Sequence, residues 1–305
     1  MNRKTLLTLL TLTMMWVNIC AQDAKTETIT SDEGTYVGQI SDDKKNGHGT
    51  FTWNNGDVYD GEWKNDIREG HGTYTWKNGN RYEGEYVNGK KQGHGVMTWA
   101  NGDRYEGDWK GDVQTGQGTF TWANGNKYEG GYLNGKKDGY GVMTWKSGDK
   151  YEGEWKNDER NGQGTYTWAK GDRYEGNWIS GEQSGKGKKD FSNGDSYDGD
   201  WEKGDRSGYG VYVWANGNKY EGTYVRDKRH GQGKMTWNSG DMYEGEWKYN
   251  LQSGHGVFVW RNGDRFEGEW ESGMKNGNGT LRFADGTEQT GYWQDDEYFE
   301  EEEEY

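Results

Sequence analysis

A row of carboxylates is the first feature of this sequence that could do chemistry. Acidic side chains recur every 23 residues, at Asp60, Glu83, Glu106, Glu129, Glu152, Glu175, Asp198, Glu221, Glu244 and Glu267. If successive members lie two strands apart, about 10 Å separates them, which is too far to share a metal ion or an acid–base reaction. Basic residues stand two positions before several members, at Arg81, Arg104, Lys127, Lys150 and Arg173. We therefore expect a solvated, ion-paired face, with weak Ca²⁺ binding as the alternative.

The histidines do not suggest a metal site. His48, His71, His94 and His255 each occupy the middle of a Gly-x-Gly triplet, a position that Tyr140, Gln163 or Lys186 fills in other copies. A position that accepts such different side chains is not selected for metal ligation. No helix follows these triplets to receive a nucleotide phosphate. With no nucleophile–base pair in view, we predict a protein that is not an enzyme and has no metal or cofactor.

Aromatic side chains form the candidate binding surface, because they also recur every 23 residues. We propose an aromatic groove for sugars, acyl chains or an extended peptide. Its candidate residues are Trp53, Tyr59, Trp63, Trp76, Trp99, Trp109, Trp122, Trp145, Trp155, Trp168, Trp178 and Lys189. The regularity of the rows favours the simpler interpretation that most of these rings are the core.

Lys189 interrupts the pattern, since other copies have Phe, Tyr, Met or Leu at this position. A cation on the aromatic face could recognise an anionic ligand. The alternative, which we favour, is a diverged repeat whose lysine extends its ammonium group to solvent.

The elements that position these rows follow from glycine. Gly38 begins a series of twelve glycines spaced 23 residues apart, the last being Gly291, so one small unit is copied along the chain. Within a unit, two alternating runs flank Asn55-Gly56, which is typical of a β-hairpin. A three-residue loop, 54–56, pairs Phe51 with Tyr59 and places the rings on one face. A two-residue loop would put rings on both faces, so we predict the longer loop.

Composition supports this interpretation. Glycine supplies 53 of the 305 residues, proline is absent and only 29% are hydrophobic, yet there are 18 Trp and 22 Tyr. Rings must therefore provide the buried apolar surface. We predict an all-β fold: an elongated, twisted, single-layer antiparallel sheet of about 12 tandem hairpin repeats with an aromatic-lined face.

The repeat resembles a known family. The string from Gly70 to Tyr86, and Tyr-Glu-Gly-Glu-Trp at 151–155, are similar to the MORN (membrane occupation and recognition nexus) repeat. The resemblance covers 34–293. It implies an array of hairpins with an aromatic groove, used mainly for binding or scaffolding and joined to many different domains in related proteins.

The two ends differ from the array. Residues 1–21 read as a signal peptide, with Arg3 and Lys4 before an apolar run and cleavage after Ala21; a retained membrane anchor is the alternative. Residues 22–33 are expected to be a flexible segment and 294–305 an acidic disordered tail. We therefore expect export to the periplasm, the cell envelope or the extracellular space.

The functional prediction is a non-catalytic secreted or envelope scaffold that binds another protein. A lipid- or polysaccharide-binding module is the alternative, and a homodimer is possible. The net charge of −15 disfavours nucleic acid as a partner, because phosphate binding requires an excess of Lys and Arg.

Overall fold

Each 23-residue repeat supplies two strands and two turns, and the copies pair in chain order into one open antiparallel sheet. The computed structural model describes residues 25–299, and every regular element there is a strand. The sheet has 25 strands: β1 Thr26–Thr30, β2 Gly34–Ser41, β3 Lys44–Trp53, β4 Val58–Lys64, β5 Ile67–Thr75, β6 Arg81–Val87, β7 Lys90–Thr98, β8 Arg104–Lys110, β9 Val113–Thr121, β10 Lys127–Leu133, β11 Lys136–Thr144, β12 Lys150–Lys156, β13 Glu159–Thr167, β14 Arg173–Ile179, β15 Glu182–Asp190, β16 Ser196–Glu202, β17 Asp205–Val213, β18 Lys219–Val225, β19 Lys228–Thr236, β20 Met242–Lys248, β21 Leu251–Val259, β22 Arg265–Glu271, β23 Met274–Arg282, β24 Glu288–Gln294 and β25 Glu297–Phe299. The all-β prediction is confirmed.

The first turn of each repeat is the predicted three-residue loop. Phe51 lies opposite Tyr59 and Gly49 opposite Gly61. The Trp53 amide donates to the Asp57 carbonyl (2.9 Å), and Gly56, with φ 93°, donates its amide to the Trp53 carbonyl (2.9 Å). A left-handed backbone at the third loop residue explains why glycine recurs there.

The second turn of each repeat has only two residues, and its type was not predicted from the sequence. Asn65 and Asp66 both have positive φ, 49° and 69°, between paired residues Lys64 and Ile67. This is a type I′ turn, whose twist suits antiparallel strands. Glycine takes the second position in other copies, as at Gly89.

The two glycines of Gly-x-Gly have different tasks. Gly70 has φ 66° and lies in a bulge, where the register with β4 shifts between Gly61 and Trp63. Gly72 is paired with Gly61, and a Cβ on Gly72 would lie 2.3 Å from the hydroxyl of Tyr59. The first glycine turns the backbone, and the second leaves room for a ring.

Those rings form the core of the sheet, and within the described residues no second layer covers it. Tyr59 has no exposed surface and Trp63 is 6% exposed. The two rings meet edge to face at 5.1 Å, and Tyr59 also meets Tyr86 of the next repeat at 5.3 Å. The Tyr59 hydroxyl donates to the Glu62 carbonyl (3.1 Å) and Trp63 Nε1 to the Gly49 carbonyl (2.8 Å). Each repeat is therefore held by its own rings and by those of its neighbours.

The ends correct two predictions. Strand β1 pairs with β2, so the segment 22–33 contains a strand rather than only flexible chain. Strand β25 pairs with β24, and the Tyr298 ring packs on Trp293 at 5.2 Å, so 297–299 are ordered. The first and last strands lack the repeat signature, because each pairs with a neighbour on one side only. The predicted signal peptide and residues 300–305 lie outside the described part of the chain.

Candidate functional site

The twelve candidate binding residues divide by depth. Tyr59, Trp63, Trp109, Trp155 and Trp178 are buried in the core, and burial raises the pKa of the Tyr59 hydroxyl well above its ordinary value. A half-buried set keeps part of its surface exposed and forms what we call the groove row: Trp53, Trp76, Trp99, Trp122, Trp145 and Trp168. Among the candidate rings, the groove row therefore has the partly exposed surface, and the buried rings support it.

The groove row is continuous from one repeat to the next. The Trp53 ring lies 4.6 Å from Phe51 of its own repeat and 5.2 Å from Tyr74 of the following one. Tyr74 then contacts Trp76 at 4.5 Å. The Tyr74 hydroxyl also donates to Asp57 (3.0 Å), and its pKa is raised to about 12, mainly by burial. This ladder gives an extended ligand a repeating apolar strip.

A second row lies on the same face and was not predicted from the sequence. We call it the cation row, and its members are Lys45, Arg68, Lys91, Lys137, Arg160, Arg206, Arg229 and Lys275, with glutamine at Gln114, Gln183 and Gln252. The Lys91 ammonium lies 4.3 Å from the Trp109 ring, the Arg160 guanidinium 4.3 Å from Trp178, and the Lys275 ammonium 4.1 Å from Trp293. The 23-residue recurrence of these cations was the signal that could have revealed them.

Fixed contacts position the cation row. The carboxylate of Asp112 accepts from the Lys91 amide (2.9 Å), and Arg68 Nη2 donates to the Gly89 carbonyl (2.8 Å). Burial lowers the pKa of the Lys91 ammonium, and the nearby Asp112 partly offsets this effect. The cations are thus partly desolvated and ordered, as a preorganised binding surface requires.

Hollows separate the two rows. One of about 460 Å³ is lined by Lys137, Met143, Trp145, Arg160 and Tyr166 among others, and a smaller one of about 300 Å³ lies next to Arg68, Trp76 and Lys91. Each hollow combines aromatic surface with two cations, and carboxylates also line it: Asp158 and Glu159 in the larger hollow and Asp112 in the smaller one. A chain segment with apolar and acidic side chains matches that chemistry.

Lys189 lies on the aromatic face, and its side chain packs over the rings rather than extending to solvent. Its ammonium is 4.7 Å from the Trp168 ring and 5.0 Å from Phe191, and burial lowers its pKa, with the buried Asp172 opposing that shift. On the same strand Gln183 replaces the usual cation. In this repeat the positive charge has moved six residues along the strand, so Lys189 continues the positive surface of the groove.

The opposite face carries the predicted ion pairs. Arg81 Nη1 lies 2.7 Å from Glu83, Arg104 Nη1 2.7 Å from Glu106, and Lys150 Nζ 2.8 Å from Glu152. This prediction is confirmed. Over the described residues, no group of three or more His, Cys, Asp or Glu side chains is arranged to hold a metal ion. In the same range, no helix has the length and apolarity needed to cross a membrane.

Fold and site together define a class: a solenoid-like repeat protein whose core is a row of rings on one face of a single open sheet. A family model described as "MORN repeat" matches eleven consecutive segments, from 36–58 to 266–288. The chain belongs to the MORN-repeat family. No curated protein sequence matches it.

Several solved structures are similar to parts of the sheet. One is the TCP10 domain of Danio rerio CPAP in complex with a peptide of Danio rerio STIL, at 11% identity and a TM-score of 0.39, covering 74% of this chain and 97% of that chain. Another is the TCP10c domain of Drosophila melanogaster Sas-4, at 15% identity and a TM-score of 0.27, covering 59% of this chain and 93% of that one. Such low values carry no functional inference.

Proposed function

We propose that this protein is a non-catalytic scaffold that binds an extended segment of a partner protein along its aromatic face. The observation that carries the proposal is the juxtaposition of the groove row with the cation row, as where the Lys91 ammonium lies 5.9 Å from the Trp76 ring, and the two rows recur along the sheet about every 10 Å. A ligand that runs along the sheet meets the same pair of contacts in each repeat.

Charge favours an acidic partner segment. The whole chain has a net charge of −15, yet its groove carries cations beside half-buried indoles, as Lys91 lies beside Trp76. Positive charge concentrated on one face of an acidic protein favours binding of a segment that carries negative charge. Repetition multiplies weak contacts, because a second contact by a bound segment is intramolecular.

The test uses a library of random 12-residue peptides displayed on phage and selected on the immobilised chain. We expect enrichment of peptides that combine aromatic or aliphatic residues with Asp or Glu. Binding of an enriched peptide should weaken in the Arg68→Gln/Lys91→Gln variant, because three repeats already hold glutamine at this position without loss of the fold. The matched control is Arg81→Gln/Arg104→Gln on the opposite face, which should bind normally.

The competing function is lipid or glycan binding by the exposed indoles of the groove row. It is tested by vesicles of phosphatidylcholine with phosphatidylserine and by a glycan array. If either binds in a groove-dependent manner and no peptide is enriched, the protein-binding proposal is wrong.

Export to the cell envelope is the second part of the proposal and depends on residues 1–21. The intact mass of the chain isolated from its native source checks it, since cleavage after Ala21 leaves Gln22 as the first residue.

A further inference from the structure

A surface unrelated to the groove runs along the tight-turn edge of the first repeats. At each of four successive two-residue turns, the two flanking positions hold one lysine and one aliphatic residue. We call these eight residues the lysine–aliphatic ridge: Lys64 with Ile67, Val87 with Lys90, Lys110 with Val113, and Leu133 with Lys136. Lys64 follows the buried Trp63, so the ridge lies on the carboxylate face, opposite the groove.

The aliphatic members are unusually exposed for their type. Ile67 is 46% exposed, Val87 45%, Val113 42% and Leu133 53%. Successive turns are about 10 Å apart, so the four side chains form a strip about 30 Å long. A strip of this kind on an otherwise polar face indicates a contact surface.

The lysine members have no carboxylate partner within the described residues, where the ion pairs of the carboxylate face involve other cations. Lys64, Lys90, Lys110 and Lys136 are all exposed. Unpaired positive charge beside apolar surface, in a chain of net charge −15, is complementary to an acidic segment that also carries apolar side chains.

The ridge is held in place because each of its turns hydrogen-bonds to a strand of the preceding repeat. The Asp66 amide donates to the Lys45 carbonyl (3.1 Å), and the Gly89 amide donates to the Arg68 carbonyl (2.9 Å). Each turn is therefore fixed to the preceding repeat. A docking segment would lose little entropy in ordering this surface.

One segment of this chain has the complementary chemistry. Residues 297–305 read Glu-Tyr-Phe-Glu-Glu-Glu-Glu-Glu-Tyr, with five consecutive glutamates after an aromatic pair. Phe299 is 48% exposed at the end of the last strand. In extended form, five glutamates span about 17 Å, which reaches the lysines of two successive turns.

We propose that the acidic segment 297–305 of one copy docks on the lysine–aliphatic ridge of a second copy. Its glutamates would face Lys90 and Lys110, and the exposed Phe299 ring would cover Val87, while Tyr298 stays packed on Trp293 of its own chain. The ridge of the same copy is out of reach, because strands make their main contacts only with their sequence neighbours and Leu133 lies seven repeats before Gln294. The contact is thus head to tail and lets further copies add.

Sedimentation velocity of the purified full chain over a concentration series tests this proposal. We expect association that weakens as salt is raised, because the contact is largely between exposed charges. A chain ending at Phe299 should stay monomeric. The Lys90→Gln/Lys110→Gln variant should associate about five- to tenfold more weakly, as expected for two exposed ion pairs. The matched control is Lys77→Gln/Lys146→Gln, which removes two exposed lysines from the other turn edge and should associate like the unmodified chain.

A charge exchange makes the test specific to this pair of surfaces. Lys90→Glu/Lys110→Glu should abolish association, and replacing Glu300–Glu304 by lysine in the same chain should restore it. The proposal is overturned if the unmodified chain is monomeric at 100 µM in low salt, or if association survives both the truncation and the ridge variant. Binding of a synthetic 297–305 peptide without any association of the chain also contradicts head-to-tail assembly.

Discussion

At the scale of single residues, glycine and tyrosine are fitted to each other. Each fully buried tyrosine lies over the paired glycines of its repeat, as Tyr59 does over Gly61 and Gly72. A methyl group at either glycine would overlap the ring or the opposing backbone. The alternation of large and absent side chains lets one sheet bury its own rings without a second layer.

The first prediction concerns Gly72→Ala. Gly72 has an ordinary extended backbone, so alanine adds a clash with Tyr59 but no backbone strain. We expect a loss of about 1–3 kcal/mol in the free energy of unfolding, measured by urea denaturation. Thr75→Ala on the same strand, at an exposed position, should change it by less than about 0.5 kcal/mol. Equal stabilities for the two variants would contradict the interpretation that Gly72 leaves room for the Tyr59 ring.

Residue types predicted the core but not the cation row. The glycines and rings are nearly invariant among the copies, so their period is plain in the sequence. The cation row varies between Lys, Arg and Gln, and the tight turn before it varies more widely, from Asn65-Asp66 to Lys203-Gly204 and Tyr249-Asn250. Alternation counted back from Tyr74 and Gly72 places Arg68 on the aromatic face, and the two extra residues of the bulge at Gly70 keep it there, so the variation in residue type, not the geometry, concealed the row.

At the scale of the element, the tight turn links one repeat to the one before it. Asp66 accepts from the Lys45 amide (3.0 Å), Asp158 does the same for Lys137 (3.0 Å), and Asn250 for Arg229 (2.9 Å). These side chains hydrogen-bond each turn to the strand residue 21 positions earlier. Copies with glycine at this position lack the side-chain hydrogen bond but keep the one that the backbone amide donates, as the Gly89 amide does to the Arg68 carbonyl.

The second prediction separates two contributions of Asp66 to stability: the hydrogen bond that its side chain accepts and the strain of its positive φ. Asp66→Asn keeps an acceptor oxygen and should leave the free energy of unfolding within about 0.5 kcal/mol. Asp66→Gly relieves the positive φ but removes the acceptor, so a loss of about 1 kcal/mol is expected. Asp66→Ala combines the lost hydrogen bond with a strained φ and should cost about 2 kcal/mol or more. Urea denaturation of the three variants gives the order, and an alanine variant as stable as the asparagine variant would refute it.

At the scale of the whole molecule, the sheet depends on the 23-residue period more than on any single contact. Every strand pairs with its sequence neighbours, and no fixed partner lies elsewhere in the described chain. The sequence was therefore sufficient to predict the sheet and the hairpin register. It was insufficient for the terminal strands β1 and β25, which pair through backbone groups that any sequence supplies.

The last prediction removes one repeat from the middle of the array. Deletion of residues 154–176 joins Gly153 to Asn177 and keeps the 23-residue phase, so we expect a folded chain with the same far-ultraviolet circular dichroism per residue. The slope of its urea transition should fall by about one tenth, in proportion to the surface lost. Deletion of 154–175 removes one residue fewer and joins Gly153 to Gly176. The extra residue turns Trp178 toward solvent, and since a strand side chain changes face with each position, it should cost about 3 kcal/mol or more. Both chains differ from the original by nearly the same length, so equal stability would mean that length rather than phase holds this sheet together.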